Sequence, residues 1–143
     1  MRLIHSNPPS VAPPVGTYSH AVLVETGDAV WIHLSGQLAL DENGALVGPG
    51  DLAAQTRQVF ENLRRILDDC GATFDDVVKI QTFVTTFDGF AASREVRATY
   101  LPAEPPASTA VKVAALVMPE ALVEIDLVAV VRGRGPEEVD TRE

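Results

Sequence analysis

The sequence predicts an α+β fold: one mixed β-sheet with two helices laid on one of its faces, in the order ββαβαββ. Three observations predict it. The C-terminal third holds two β-rich runs, residues 106–116 and 122–131, joined by a short connection containing Pro119. A long apolar stripe at helical spacing follows Asp51. A strand-like run over residues 78–86 then leads into a second helical stretch that stops at Pro102.

Taken in order, residues 1–16 carry four of the ten prolines and read as an extended, non-helical arm. Residues 20–25 and 29–35 read as two strands joined through Thr26-Gly27-Asp28, a hairpin signal. Asp41-Glu42-Asn43-Gly44 and Gly48-Pro49-Gly50 are turns. Asp51 is a good N-cap, and Leu52, Thr56, Val59, Phe60, Leu63, Ile66, Leu67 and Cys70 follow at the spacing of an amphipathic helix. Gly71 is placed to end that helix. A short helical turn over residues 74–77 feeds the strand at 78–86, and a second helix spans about residues 89–101. Residues 133–143 are a polar tail expected to fray, and the whole of 1–143 is expected to form one domain.

The last run is the most informative. Val123, Ile125, Leu127, Ala129 and Val131 fall on one strand face. Glu124, Asp126, Val128 and Val130 fall on the other. Two helices can cover only one sheet face, so aliphatics beside carboxylates on the second face imply that it too is covered.

Composition narrows the function classes. With 11 Lys and Arg against 20 Asp and Glu, the net charge is -9, which disfavours nucleic acid as a partner. Cys70 is the only cysteine, so no intrachain disulfide is possible, and its apolar-periodic position reads as a structural thiol. His5, His20 and His33 have no partners at ligand spacing, so no metal is expected. No signal-peptide pattern precedes Asn7-Pro8-Pro9, and no apolar run approaches the ~20 residues of a membrane span. A cytoplasmic protein with no membrane partner is the expectation.

Ordered motifs now identify a resemblance. Val15-Gly16-Thr17-Tyr18 is similar to a Gly-Pro-Tyr turn, Leu34-Ser35-Gly36-Gln37 to a Ser-Gly-Gln motif, and residues 51–71 to a long helix. The strand–helix unit at 78–96 and the two C-terminal runs complete the set. Together, over roughly residues 5–132, they resemble the RidA (YjgF-like) family of enamine/imine deaminases. The resemblance implies a RidA-like, chorismate mutase-like fold, a homotrimer packed with sheets inward, and a small-molecule ligand held in clefts between subunits. It implies no cofactor.

In that family an arginine at the start of the penultimate strand binds the substrate carboxylate, and a glutamate on the last strand orients or activates water. A tyrosine and the Ser-Gly-Gln backbone complete the pocket. The resemblance therefore assigns Glu124 and Tyr18 as catalytic and Gly36 as substrate-binding. The arginine position holds Ser108, followed by Thr109, and the usual second-helix asparagine is Arg94. A guanidinium fork gives paired charge-assisted hydrogen bonds, whereas Ser108 and Thr109 donate single neutral ones. Lys112 shares the strand face of Ser108 but lies about 13 Å along it. Arg94 is the natural substitute anchor, with Arg97 at i+3 on its helical face; the alternative is that both are solvated. His20 is either a border of the pocket or an ordinary hydrogen-bonded histidine, and Trp31 reads as packing. Partial burial and Asp126 would both raise the pKa of Glu124.

Three functions are compatible with these residues. The first is a metal-free hydrolase of the enamine/imine deaminase type, acting on a substrate other than a standard 2-imino acid because of Ser108. The second is a non-catalytic metabolite-binding or regulatory protein that kept the pocket. The third, an RNA-acting enzyme, is disfavoured by the acidity.

Overall fold

The computed structural model describes residues 1–133. Six strands form one sheet: β1 (Arg2–Ser6), β2 (Ala21–Glu25), β3 (Ala29–Gln37), β4 (Val77–Val84), β5 (Ala107–Lys112) and β6 (Val123–Arg132). Helices α1 (Leu52–Asp69) and α2 (Phe90–Tyr100) interrupt them, with a 3-10 turn at Phe74–Asp76. The sheet order is β1-β2-β3-β6-β4-β5. Every pairing is antiparallel except β4 with β5, the pair that α2 connects as a crossover.

The α+β class and both helices agree with the sequence reading, and one strand is added. Arg2–Ser6, the start of the expected arm, pairs with β2 from Arg2 opposite Glu25 to Ser6 opposite Ala21, so the order is βββαβαββ. This strand is short and mostly exposed. Its ladder with β2, a non-local partner, defines it, and five residues carry little periodicity of their own. Of the expected tail, residues 134–143 lie outside the described residues, while the Gly133 N–H donates to the Asp28 carbonyl at 2.7 Å.

Local chemistry explains α1. The Asp51 side chain accepts from the Ala54 N–H at 3.0 Å, satisfying one of the free donors of the first turn. At the other end Gly71 takes φ of +75°, its N–H donates to Asp68 O and the Ala72 N–H reaches Leu67 O. Those two bonds make a Schellman ending, and the left-handed conformation it needs favours glycine. Leu52, Val59, Phe60, Leu63, Ile66 and Leu67 are buried on the sheet, against Ile32, Leu34, Ile80, Ile125 and Leu127. Phe60 stacks on Tyr100 of α2 at 5.1 Å between ring centroids, locking the two helices together.

Two buried amides on α1 do a different task. Gln55 accepts from the Leu122 N–H at 2.8 Å and donates to Gly48 O and Glu120 O. Asn62 donates to Leu38 O and Leu40 O. Both hold irregular chain ends, the segment after β3 and the segment leading into β6, where ladder bonds stop. Those segments flank Glu124.

The second sheet face is open in the single chain. The alternation read for β6 holds: Val123, Ile125, Leu127 and Ala129 are buried, while Glu124, Asp126, Val128 and Val130 are half-buried. Trp31, opposite Val130, is 43% exposed on this face, so within one chain it is not packed. No helix among the described residues is long and apolar enough to cross a membrane.

Candidate active site

Glu124 owes its position to an irregularity in the sheet. β3 and β6 pair in register from Ala29 to Leu34, and beyond that point Gln37, rather than Gly36, meets Ile125. One extra residue in β3 makes a bulge over Ser35-Gly36 and aims this backbone at Glu124. A Cβ on Gly36 would stand 2.8 Å from Cδ of the Glu124 carboxyl. Glycine here lets the carboxyl rest directly on the backbone; a Cβ would force the flexible end of the Glu124 side chain to move away.

Glu124, Gly36, Tyr18, His20 and Gln37 line a small cavity of about 50 Å³. Burial is the main cause that raises the Glu124 pKa above its ordinary value, and Asp126 on the same face adds to it. The Asp126 carboxyl is raised by burial as well. A carboxyl displaced upward is a better proton acceptor near neutrality than an ordinary one.

The wall of this cavity is tightly bonded. His20 is buried, with Nε2 at 2.7 Å from Ala12 O and Nδ1 at 3.1 Å from Gln37 Nε2. A carbonyl can only accept, so Nε2 donates to Ala12 O, while Nδ1 faces the Gln37 side-chain amide. The Tyr18 ring meets His20 edge-on at 6.3 Å and remains 45% exposed, its hydroxyl accepting from the Val15 N–H. His20 is thus both the hydrogen-bonded histidine and the pocket border that the sequence left as alternatives.

A larger cavity of about 470 Å³ lies on the opposite, helix-bearing side. Arg94, Arg97, Ser108, Thr82, Ser93 and Ile125 are among its lining residues. The Arg97 guanidinium donates to Ser108 Oγ at 2.8 Å and to Thr82 Oγ1 at 3.1 Å. Burial, then repulsion from Arg94, lowers its pKa. No carboxylate lines this cavity, and among the described residues Arg97 makes no salt bridge.

The structure therefore divides the expected residues. It brings Glu124, Tyr18 and Gly36 together in one cavity and Arg94 with Ser108 in the other. Thr109, next along β5, points to the open face and accepts from Lys79 Nζ at 2.8 Å, lining neither. Arg97, second to Arg94 as an anchor in the sequence, is the arginine that reaches Ser108. The signal was present as i+3 spacing on α2, but which of two exposed-looking arginines turns inward depends on the parallel β4–β5 pairing. Cys70 is half-buried, and burial with Asp69 pushes its thiol up to about 11, so it stays protonated near neutrality. Among the described residues no three His, Cys, Asp or Glu side chains gather as a metal site would require.

The family model for Endoribonuclease L-PSP (Ribonuc_L-PSP) matches residues 9–131, and the chain belongs to that family, the RidA or YjgF-like proteins. It is 39% identical over 122 residues to the 3-aminoacrylate deaminase RutC of Acinetobacter baylyi, covering 85% of this chain and 93% of the relative. The crystal structure of RidA from an Antarctic Psychrobacter superposes with a TM-score of 0.77 at 36% identity, covering 87% of this chain and 97% of the other. YyfA of Yersinia pestis, a protein of the conserved Rid family with unknown function, gives 0.81 at 31% identity, covering 91% and 100%.

Proposed function

We propose that the protein hydrolyses a small imine or enamine, with Glu124 as the base that takes a proton from the attacking water. The observation that carries this reading is the half-buried Glu124 carboxyl, raised in pKa and pressed on Gly36 at the wall of a cavity that Tyr18 borders. The water oxygen adds to the imine carbon as one of its protons passes to Glu124, which hands it on to the nitrogen; in the next step Glu124 takes the hydroxyl proton and delivers it to the leaving nitrogen. The carbinolamine formed in the first step thus expels ammonia and leaves a carbonyl, so one imine and one water give one carbonyl compound and one ammonia. An enamine substrate tautomerises to the imine first. Tyr18 orients the substrate, and no metal or cofactor enters the scheme.

The complete site, on this reading, forms between copies of the chain. Glu124 and the Arg97–Ser108 pair lie on opposite sheet faces, so one chain cannot offer both to one small molecule. A homotrimer with sheets inward covers the open face and sets the Glu124 cavity of one subunit beside the arginine cavity of the next. The acidity disfavours RNA as a substrate: the net charge is -9 and the only lysines are Lys79 and Lys112.

Ammonia release from freshly generated 2-aminoacrylate and 2-iminopropionate, beside uncharged enamines, tests the reading. Acceleration over the uncatalysed rate, lost in Glu124→Gln, is expected. Wild-type rates in Glu124→Gln would refute the role of Glu124. Saturable binding of these compounds without acceleration would favour the metabolite-binding alternative.

A further inference from the structure

The arginine cavity raises the question of which substrates the chain accepts. Arg97 is half-buried, yet its hydrogen-bond partners in the structure are two neutral hydroxyls, Thr82 Oγ1 and Ser108 Oγ. A guanidinium has five N–H donors. Two are used here, and both anchor the group to the sheet at the point where β4 and β5 lie in parallel register, Thr82 being two residues beyond Ser108's own partner Ile80. The other three remain for a ligand.

The remaining lining shows what kind of ligand would fit. Arg94 stands one helical turn before Arg97 and is exposed at the rim, and its charge depresses Arg97. Two cations thus share a cavity of about 470 Å³ that no carboxylate lines. Thr56 and Ser93, the next polar groups, hydrogen-bond one another at 2.6 Å. Phe90, Leu101, Pro105 and Ala110 supply an apolar wall. Such a cavity is complementary to a short aliphatic anion, and one carboxylate neutralises only one of its two guanidinium groups.

Building on the deaminase reading, we propose that Arg97 is the carboxylate anchor, moved from strand to helix, and that Arg94 adds a second anionic contact. The preferred substrate class is then a small dicarboxylic imine or enamine. Ser108 is a positioning residue: its hydroxyl orients the Arg97 fork and touches no substrate. The separation that excludes Lys112 does not exclude Arg97, because the Arg97 side chain reaches from α2 to Ser108 near the start of β5.

Calorimetric titration of the full chain with succinate and with propionate tests this without turnover. Succinate is expected to bind at least about tenfold more tightly, since a second charge-assisted contact forms. Arg94→Ala should reduce succinate to the level of propionate. Arg97→Met should weaken both, and Arg97→Lys, which keeps the charge and bulk if Met disturbs the fold, should still weaken both by about tenfold through loss of the fork. Equal affinities for the two anions in the wild type, no saturable binding of either, or undiminished binding in Arg97→Lys would overturn the proposal. Ammonia release is not read here, so tight succinate binding by a protein without deaminase activity would leave this assignment standing and refute the activity.

Discussion

Glu124 rests against Gly36, so close that a Cβ on Gly36 would stand 2.8 Å from the Glu124 Cδ. Gly36 does not have a positive φ, so alanine is compatible with its backbone and the conflict is with the carboxyl alone. Gly36→Ala should displace Glu124 and abolish activity; because only the flexible end of a half-buried side chain must move, the cost in stability should stay at or below about 1 kcal/mol. The stability loss should be largely relieved in Gly36→Ala/Glu124→Ala. Urea unfolding of the four proteins in the cycle checks this, and equal costs in both backgrounds would show that the glycine serves something else.

Glu124 also sets a pH dependence. Its pKa is raised in the folded chain, mainly by burial, above the ordinary value of 4.5. The folded state therefore holds this proton more tightly than the unfolded chain. Stability from this group is full below pH 4.5 and is lost as pH rises through the raised value. Glu124→Gln should therefore melt at a temperature equal to or above the wild type at pH 7, with the difference disappearing in acid. Activity has the opposite slope, since the base must be ionised, and should fall as pH drops through the raised pKa. A melting difference independent of pH would contradict the cause given.

Much of this site was legible in the sequence because its parts have local signatures. Period-2 alternation in β6 placed Glu124 opposite the core face, and the spacing after Asp51 marked α1 with its cap and its Gly71 ending. What escaped was non-local. β1 exists through its ladder with β2, and the inward turn of Arg97 depends on Thr82 and Ser108, 15 and 11 residues away. Ser108 and Thr109 are neighbours in sequence, yet the pleat sends them to opposite sheet faces, so a binding pair read from adjacency is divided. Gln55 and Asn62, buried amides inside an apolar stripe, gave no sign that they hold the loops around Glu124.

Ser108→Arg tests how firmly Arg97 is held in its cavity. Arg97 already donates to Ser108 at 2.8 Å, so Ser108→Arg would press a second guanidinium onto the first. No gain on 2-iminopropionate is expected, and the melting temperature should fall, more at low salt where repulsion is less screened. A large rate increase would mean that Arg97 leaves the site freely and is not an anchor.

Trp31 reports on assembly. It is the only tryptophan in the chain and is 43% exposed on the open sheet face, opposite Val130. If a homotrimer packs its sheets inward, its emission should be blue-shifted at high concentration and move to the red on dissociation. Trp31→Arg should give a monomer in sedimentation equilibrium. A wild-type monomer at micromolar concentration would remove the basis for an inter-subunit site.

Mixing two inactive variants tests the central claim most directly. Glu124→Gln lacks the base and Arg97→Met lacks the anchor, and each homo-oligomer should be inactive alone. After they are unfolded together in equal amounts and refolded, a site shared between neighbouring subunits is intact only where an Arg97-bearing chain meets a Glu124-bearing one in the right order. In a closed ring with random mixing that holds for about one site in four. Recovery of about a quarter of wild-type ammonia release is therefore predicted. No recovery in a mixture shown to contain hetero-oligomers would contradict the shared site, because Glu124 and Arg97 would then not serve the same substrate across an interface.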